Sequence, residues 1–199
     1  MDTGAYHRLM TVRGPYAKST RTREQILTAA LETISKGGYA GASLQQIADA
    51  VGMTKAGLLH HFESREALFT AVLNRRDEID TEGIVAGDQI DEFVHLMQRN
   101  ADVPGLVALF SAITGVGAAQ PIGSTTRTFT ETHYARIIPL LTGAIEERQR
   151  EGKVSSSRSA VNLARLLVAA ADGLQTQWLL DPDIDMRAEL AILIDAFES

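Results

Sequence analysis

Histidines are the first place to look for reactive chemistry in this chain, which has no cysteine and five histidines among 199 residues. His60 and His61 are adjacent and invite a metal site. In a helix, however, neighbours point about 100° apart, so the two rings cannot easily share an ion. His95 and His133 each stand alone in helical segments, where a histidine is more often packed or solvated than a ligand. The sequence holds no Ser-His-Asp spacing, no H-E-x-x-H motif and no arguable pair of catalytic carboxylates. Gly115-x-Gly117 lacks the preceding strand and third glycine that a nucleotide loop needs. The expectation is therefore a protein with no catalytic residue, no metal and no cofactor. Absence of thiols rules out disulfides and suits a reducing cytoplasm, the compartment expected here.

What remains is recognition, and residues 43–62, SLQQIADAVGMTKAGLLHHF, carry its strongest pattern. Counted from Leu44, a small residue occupies the fifth position (Ala48), glycine the ninth (Gly52) and an apolar residue the fifteenth (Leu58). Two short helices crossing steeply require that spacing. Ala48 lets the backbones approach, Gly52 permits a turn at positive φ, and Leu58 pins the second helix to the first. The outer face of the second helix is left free, and that is the face DNA-binding proteins place in the major groove.

Charge is split along the chain. Residues 1–76 carry ten Lys/Arg against six Asp/Glu, whereas residues 77–199 carry nine against nineteen, for the overall net of −6. A basic front on an acidic rear fits a DNA-contacting head with a body that phosphates repel, although surface charge has many causes.

The supporting elements read as helices throughout, with the break points set by glycine, proline and capping residues. Residues 1–19 show no periodicity and read as a mobile arm. Ile26, Leu27, Ala30, Leu31 and Ile34 form one apolar stripe from Thr20 onward, stopped by Gly37-Gly38. Ser43 with Gln46 forms a capping box, Thr54 caps the short second helix, and Ser64 caps a fourth whose inner face is Leu68, Phe69, Val72 and Leu73. Residues 80–88 read as a break between modules. Further helices are expected near 88–99, 103–119 (started by Asp102 and Pro104), 126–151 with a kink at Pro139, 157–180 and 185–198. No segment has the length and apolarity of a signal peptide or a membrane span, so no membrane partner is expected.

With these elements in place, residues 23–73 (REQILTAALETISKGGYAGASLQQIADAVGMTKAGLLHHFESREALFTAVL) resemble the TetR family of one-component transcriptional regulators. The match rests on the first amphipathic helix, the Gly38-Tyr39 turn, the helix-turn-helix, His61-Phe62 and Ser64-Arg65-Glu66-Ala67-Leu68, all in order. The stretch 172–186 also looks like the junction of the last two helices in many members. The resemblance implies an all-α fold of about nine helices. Residues 20–79 would form the helix-turn-helix DNA-binding domain with its connecting fourth helix, and 80–199 a helical ligand-binding and dimerisation domain.

It also implies contacts. Ser43 and Thr54 would donate hydroxyls to phosphates, Lys55 and Arg65 would pair with phosphates, and His61 would touch the backbone. Gln45 would reach a phosphate or a base edge. Lys55, Ala56, Gly57 and His60 would meet bases, lysine donating to guanine and alanine touching a thymine methyl. Leu59 departs from the pattern, standing where the family usually has a phosphate-bonding tyrosine. In the N-terminal segment Lys18, Arg21 and Arg23 are better phosphate candidates than Arg8 and Arg13, for which a solubilising tail is an equal reading.

A single short helix buries too little surface for operator-level specificity, so a homodimer on palindromic double-stranded operator DNA is expected. Leu163, Leu167, Ala170, Leu174 and Trp178 on one helix, with Leu190, Leu193, Ile194 and Phe197 on the last, are its candidate interface, though some must serve the core. The middle helices would enclose a pocket for a small, largely apolar effector. Phe93, Met97, Phe110, Ile113, Phe129, Tyr134 and Ile137 are candidate lining residues, with His133 and Gln175 as polar contacts, and each reads equally well as core. Binding there would shift the population away from the operator, making the protein a ligand-released repressor. Two alternatives stay open on sequence alone: a helical small-molecule binder or enzyme whose motif is only structural, and a DNA-binding regulator without a ligand.

Overall fold

The structure, a computed structural model, describes residues 15–85 and 88–198. Among these residues it is all-helical: α1 (Pro15–Gly41), α2 (Leu44–Ala50), α3 (Lys55–His61), α4 (Arg65–Val85), α5 (Gln89–Ala101), α6 (Pro104–Ala119), α7 (Thr125–Arg150), α8 (Ala160–Trp178) and α9 (Met186–Glu198). Several boundaries differ from the sequence reading. α1 starts at Pro15 rather than Thr20, consistent with proline's fixed φ at a first helical position. The arm residues Arg8 and Arg13 lie outside the described residues. Gly38, at φ 68 and ψ 169, breaks α1 where expected, yet one more helical turn follows to Gly41. α4 runs to Val85, so the expected break at residue 80 falls within a helix. Asp102 does not start α6. It closes α5 in the αR conformation, and Val103 precedes the Pro104 start without a side-chain cap. α7 runs as one helix through Pro139.

Two cores hold the helices. The first gathers Ile26, Ala30 and Ile34 of α1, Ile47 and Ala48 of α2, Leu58 of α3, and Leu68, Phe69, Val72 and Leu73 of α4. Leu106, Leu109 and Ile113 of α6 and Phe129 of α7 belong to this same core. The second is built by α5, α7, α8 and α9, with Ile84 of α4 and Val107 of α6. α4, α6 and α7 thus contribute to both. Gly105 is the point of closest approach: a Cβ there would stand 2.2 Å from the Ile34 carbonyl oxygen.

Candidate nucleic-acid interface and internal cavity

The helix-turn-helix is assembled by local caps. Ser43 sits in extended backbone before α2. Its Oγ accepts from the Gln46 backbone N–H at 3.2 Å and donates to Gln46 Oε1 at 2.9 Å. The Ser43 backbone N–H donates to the same Oε1 at 3.0 Å, completing the capping box. The Ser43 hydroxyl proton is therefore engaged, and donating it to a phosphate means exchanging Gln46 Oε1 for a phosphate oxygen. Gly52 turns the chain at φ 69, and Thr54 Oγ1 accepts from Gly57 N–H at 3.0 Å to start α3. Leu58 is fully buried, which contributes about 1.5–3 kcal/mol toward holding α3 on α2.

This leaves Lys55, Ala56 and His60 exposed on the outside of α3, with Gly57, Leu59 and His61 half-buried beside them. The rings of His60 and His61 lie 6.0 Å apart at 73°. Gln45 is exposed on α2, and its Nε2 donates to Asp49 Oδ1 at 2.7 Å.

Two arginines have structural tasks that sequence reasoning missed. Arg65 is half-buried at the start of α4. Its Nε donates to the Ala42 carbonyl at 3.3 Å and its Nη2 to the Tyr39 carbonyl at 2.5 Å. Its guanidinium stacks over the rings of Tyr39 (4.7 Å) and Phe69 (4.5 Å). The fork that was expected to pair with phosphate is occupied in tying the turn after Gly38 to α4. Arg23 donates to the His61 carbonyl at 3.1 Å and lies 4.1 Å over the Phe62 ring, fastening α1 to the C-terminal end of α3. Arg21 stays exposed.

A second feature lies between the two cores. Beyond Leu73 the inward face of α4 turns polar, and Arg76, Asp77, Asp80 and Thr81 line a cavity of about 60 Å³ before Ile84 restores the apolar face. Of the residues expected to line a pocket, the structure brings together Phe93, Met97, Phe110, Phe129, His133, Ile137 and Gln175. Ile113 packs instead into the first core. Tyr134 does not line the cavity, but its hydroxyl donates to Oδ2 of Asp172, which does, at 2.7 Å.

Most of the cavity's charges are paired. Arg76 Nε meets Asp80 Oδ2 at 2.9 Å, and Arg136 Nη1 meets Asp77 Oδ2 at 3.2 Å. His133 Nδ1–H donates to Asp77 Oδ1 at 2.8 Å, since an ionised carboxylate can only accept. Burial pushes the Asp80 carboxyl up from its ordinary value, with Arg76 opposing it. Sequence reasoning missed Arg76, Asp77, Asp80, Arg136 and Asp172. The available signal was position: on α4 they continue the stripe of Phe69 and Leu73 toward Ile84 at helical spacing.

The expected interface residues point mostly inward. Leu163, Leu167, Trp178, Leu190 and Phe197 belong to the second core, and Ala170, Leu174, Leu193 and Ile194 pack half-buried against it. Each of these helices needs an apolar face to seat it, and the larger side chains are used there. The large apolar residues left outside on α8 and α9 are Leu166, 56% exposed, and Ile192, 65% exposed.

Comparison with known proteins agrees with this arrangement. The family model described as "Bacterial regulatory proteins, tetR family" matches residues 26–72. The transcriptional regulator RutR of Escherichia coli is 47% identical over 53 residues, which cover 27% of this chain. The chain spans only 25% of the length of RutR in that match. The transcriptional regulator AcrR of Shigella flexneri is 23% identical over 90% of this chain and 91% of its own. A TetR transcription regulator from Haloarcula marismortui superposes with a TM-score of 0.77 at 18% identity, covering 90% of this chain and all of the other. Residues 26–72 thus match the tetR family of bacterial regulatory proteins, and the helical frame beyond them is similar to that of TetR-family regulators.

Proposed function

We propose that this protein is a DNA-binding transcriptional repressor that acts as a homodimer on a palindromic operator and is released by a small molecule. Residues 20–79 carry the reading function, and residues 80–199 carry the effector site and the dimer contact. The observation that supports it most is the outer face of α3: Lys55, Ala56 and His60 stand exposed on a helix whose opposite side is locked by Leu58. Such a helix can enter the major groove without rearrangement, and Lys55 offers donors to guanine or to phosphate. Ser43, Gln45, Thr54, Gly57 and His61 flank it, within reach of backbone phosphates in this reading. Arg65 holds the unit's shape rather than touching DNA.

The dimer contact falls on the outward stripe of α8 and α9. Leu166 and Ile192 would meet their mates across a two-fold axis, with Leu174 and Ile194 at the seam. Two heads so joined read half-sites about 34–36 Å apart. The cavity between α4 and α5–α8 is the effector site. α4 connects it to the front unit, because one helix supplies Leu68 and Phe69 to the first core and Asp77 and Asp80 to the cavity.

Fluorescence anisotropy with DNA from upstream of the protein's own gene tests the reading. Saturable binding to a palindrome by a dimer is expected. A folded, dimeric sample that binds no upstream palindrome at low salt would overturn it and leave the motif structural only. Leu166→Glu should shift the protein to monomer in sedimentation and weaken operator binding. A dimer unmoved by that change would place the interface elsewhere.

A further inference from the structure

Within the cavity the charges do not balance. Asp77 and Asp80 each have a guanidinium partner, but Asp172 has no ion-pair partner among the described residues and is held only by the Tyr134 hydroxyl at 2.7 Å. One helical step further along α8, Gln175 is 96% buried at the cavity wall, and its amide has no hydrogen-bond partner among the described residues. Residues three apart on a helix share a face, so this amide and the Asp172 carboxylate front the same space. Asn100 Oδ1 of α5, which lines the same cavity, is buried without a partner. A buried polar atom left unsatisfied is costly, and Asn100 Oδ1 shares its cavity with the under-partnered Asp172 and Gln175. The unsatisfied capacity is weighted toward acceptors: a carboxylate, an amide oxygen and the acceptor half of Gln175.

The same cavity has an aromatic lining. Phe110 lies edge-on to Phe129 at 6.4 Å and to His133 at 5.0 Å, and Phe129 stacks on His133 at 6.0 Å. Phe93 and Met97 complete an apolar side. Aromatic rings sharing a cavity with a carboxylate that lacks an ion-pair partner suit a positive charge carried on an apolar body.

We infer that the effector is a compact organic monocation, a primary or secondary ammonium, whose N–H groups donate to Asp172, Asn100 and Gln175 while its hydrocarbon part lies against Phe93, Phe110 and Phe129. This rests on the reading of the cavity as the effector site. An anion would face the uncompensated carboxylate with both guanidinium groups already paired. A neutral ligand would add no counter-charge to Asp172, whose neighbour His133 is hydrogen-bonded to Asp77 instead. Burial pushes the Asp172 carboxyl up, against the Tyr134 hydrogen bond and the nearby His133, so a bound cation would relieve a penalty already present. The cavity volume of about 60 Å³ favours a short chain over a bulky ring system.

The test is calorimetric titration of the full chain with n-butylammonium, butan-1-ol and butyrate, matched in length and differing in charge. The ammonium should bind, with the alcohol and the carboxylate at least roughly tenfold weaker. Asp172→Asn should weaken the ammonium roughly thirtyfold or more, as removal of a buried charge partner does, and leave the alcohol unchanged. Equal binding of the alcohol, preferential binding of butyrate, or full ammonium affinity in Asp172→Asn would each overturn the inference. No binding of butylammonium would overturn it as well. If the variant does not fold, the comparison of the three ligands on the unaltered protein decides alone. Operator binding is measured separately by anisotropy, so the outcomes separate. Ammonium binding without operator release refutes the regulatory reading but not the cation site; operator binding without any ammonium binding does the reverse.

Discussion

Gly105, the second residue of α6, lies so close to α1 that an added Cβ would stand 2.2 Å from the Ile34 carbonyl oxygen, 2.9 Å from its carbon and 3.1 Å from Ile34 Cγ2. Ordinary contact needs more than 3.4 Å, so the two helices must separate by about an ångström, and the obstacle is backbone, which cannot swing aside. Overpacking of this kind costs about 1–3 kcal/mol. Gly143 is the internal control. It lies in the exposed interior of α7, where a Cβ would meet nothing within 4 Å. There Gly→Ala should stabilise by about 0.5–1 kcal/mol, because the unfolded chain loses freedom and the helix gains a better former. A domain of this size moves roughly 2–4 °C in Tm per kcal/mol. Gly105→Ala should therefore lower Tm by about 2–12 °C while Gly143→Ala raises it by about 1–4 °C. Both are measured by circular dichroism at one protein concentration, because the proposed dimerisation would make Tm concentration-dependent. A Gly105→Ala variant as stable as the parent would refute the close approach of α6 to α1, and with it the shared core.

Lys55→Ala should weaken operator binding and reduce the salt slope by about one counterion, whereas Arg65→Lys should leave that slope alone and lower stability, because a lysine cannot span the Tyr39 and Ala42 carbonyls. A reduced slope in the Arg65 variant would return it to the phosphate set. Asp88 caps α5 and pairs with Arg148; burial alone would raise its carboxyl, but the Asp91 and Ile90 backbone N–H groups and Arg148 outweigh it and hold the group below its ordinary value. Its contribution is present above the unfolded pKa and lost as pH falls through the lower folded one. The advantage of the parent over Asp88→Asn, no more than about 1 kcal/mol at this exposed site, should thus shrink in urea denaturation between pH 7 and pH 3; a constant or growing gap contradicts it. Asp172 has the opposite sign: its folded pKa is raised, so its contribution falls as pH rises, and Asp172→Asn without ligand should be at least as stable as the parent at pH 7. A clearly less stable variant at pH 7 would argue that the carboxylate is structural.

The helix-turn-helix was readable in the sequence because everything that shapes it is local. Ser43 with Gln46, the turn at Gly52 and the Thr54 cap all act within four residues, and each is present in the structure. Arg65 and Arg23 were not readable, because their partners lie 23 to 38 residues away and only the folded chain shows their donors engaged. Asp102 misled for a related reason: an acidic residue before Pro104 suits either a start or a stop, and α5 claims it first. On α8, periodicity located an apolar stripe at Leu163, Leu167 and Trp178 but could not say whether it faced the core or a partner. The cavity's α4 carboxylates, Asp77 and Asp80, were hidden among ordinary surface charge, since only their continuity with the Phe69–Leu73 stripe marks them as inward.

The sharing of one core by α1–α4 with α6 and α7 bears on how this protein can be used. Many recognition heads are portable: cut free, they fold and bind alone. Here Leu106, Leu109, Ile113 and Phe129 complete the packing around Ile26, Ile34, Leu68 and Phe69. A fragment ending at residue 79 would bare that apolar seam to water and sever α4 before Val85. The head is thus not a detachable tool but one end of a single casting, and grafting its specificity onto another protein means carrying α6 and the start of α7 along with it.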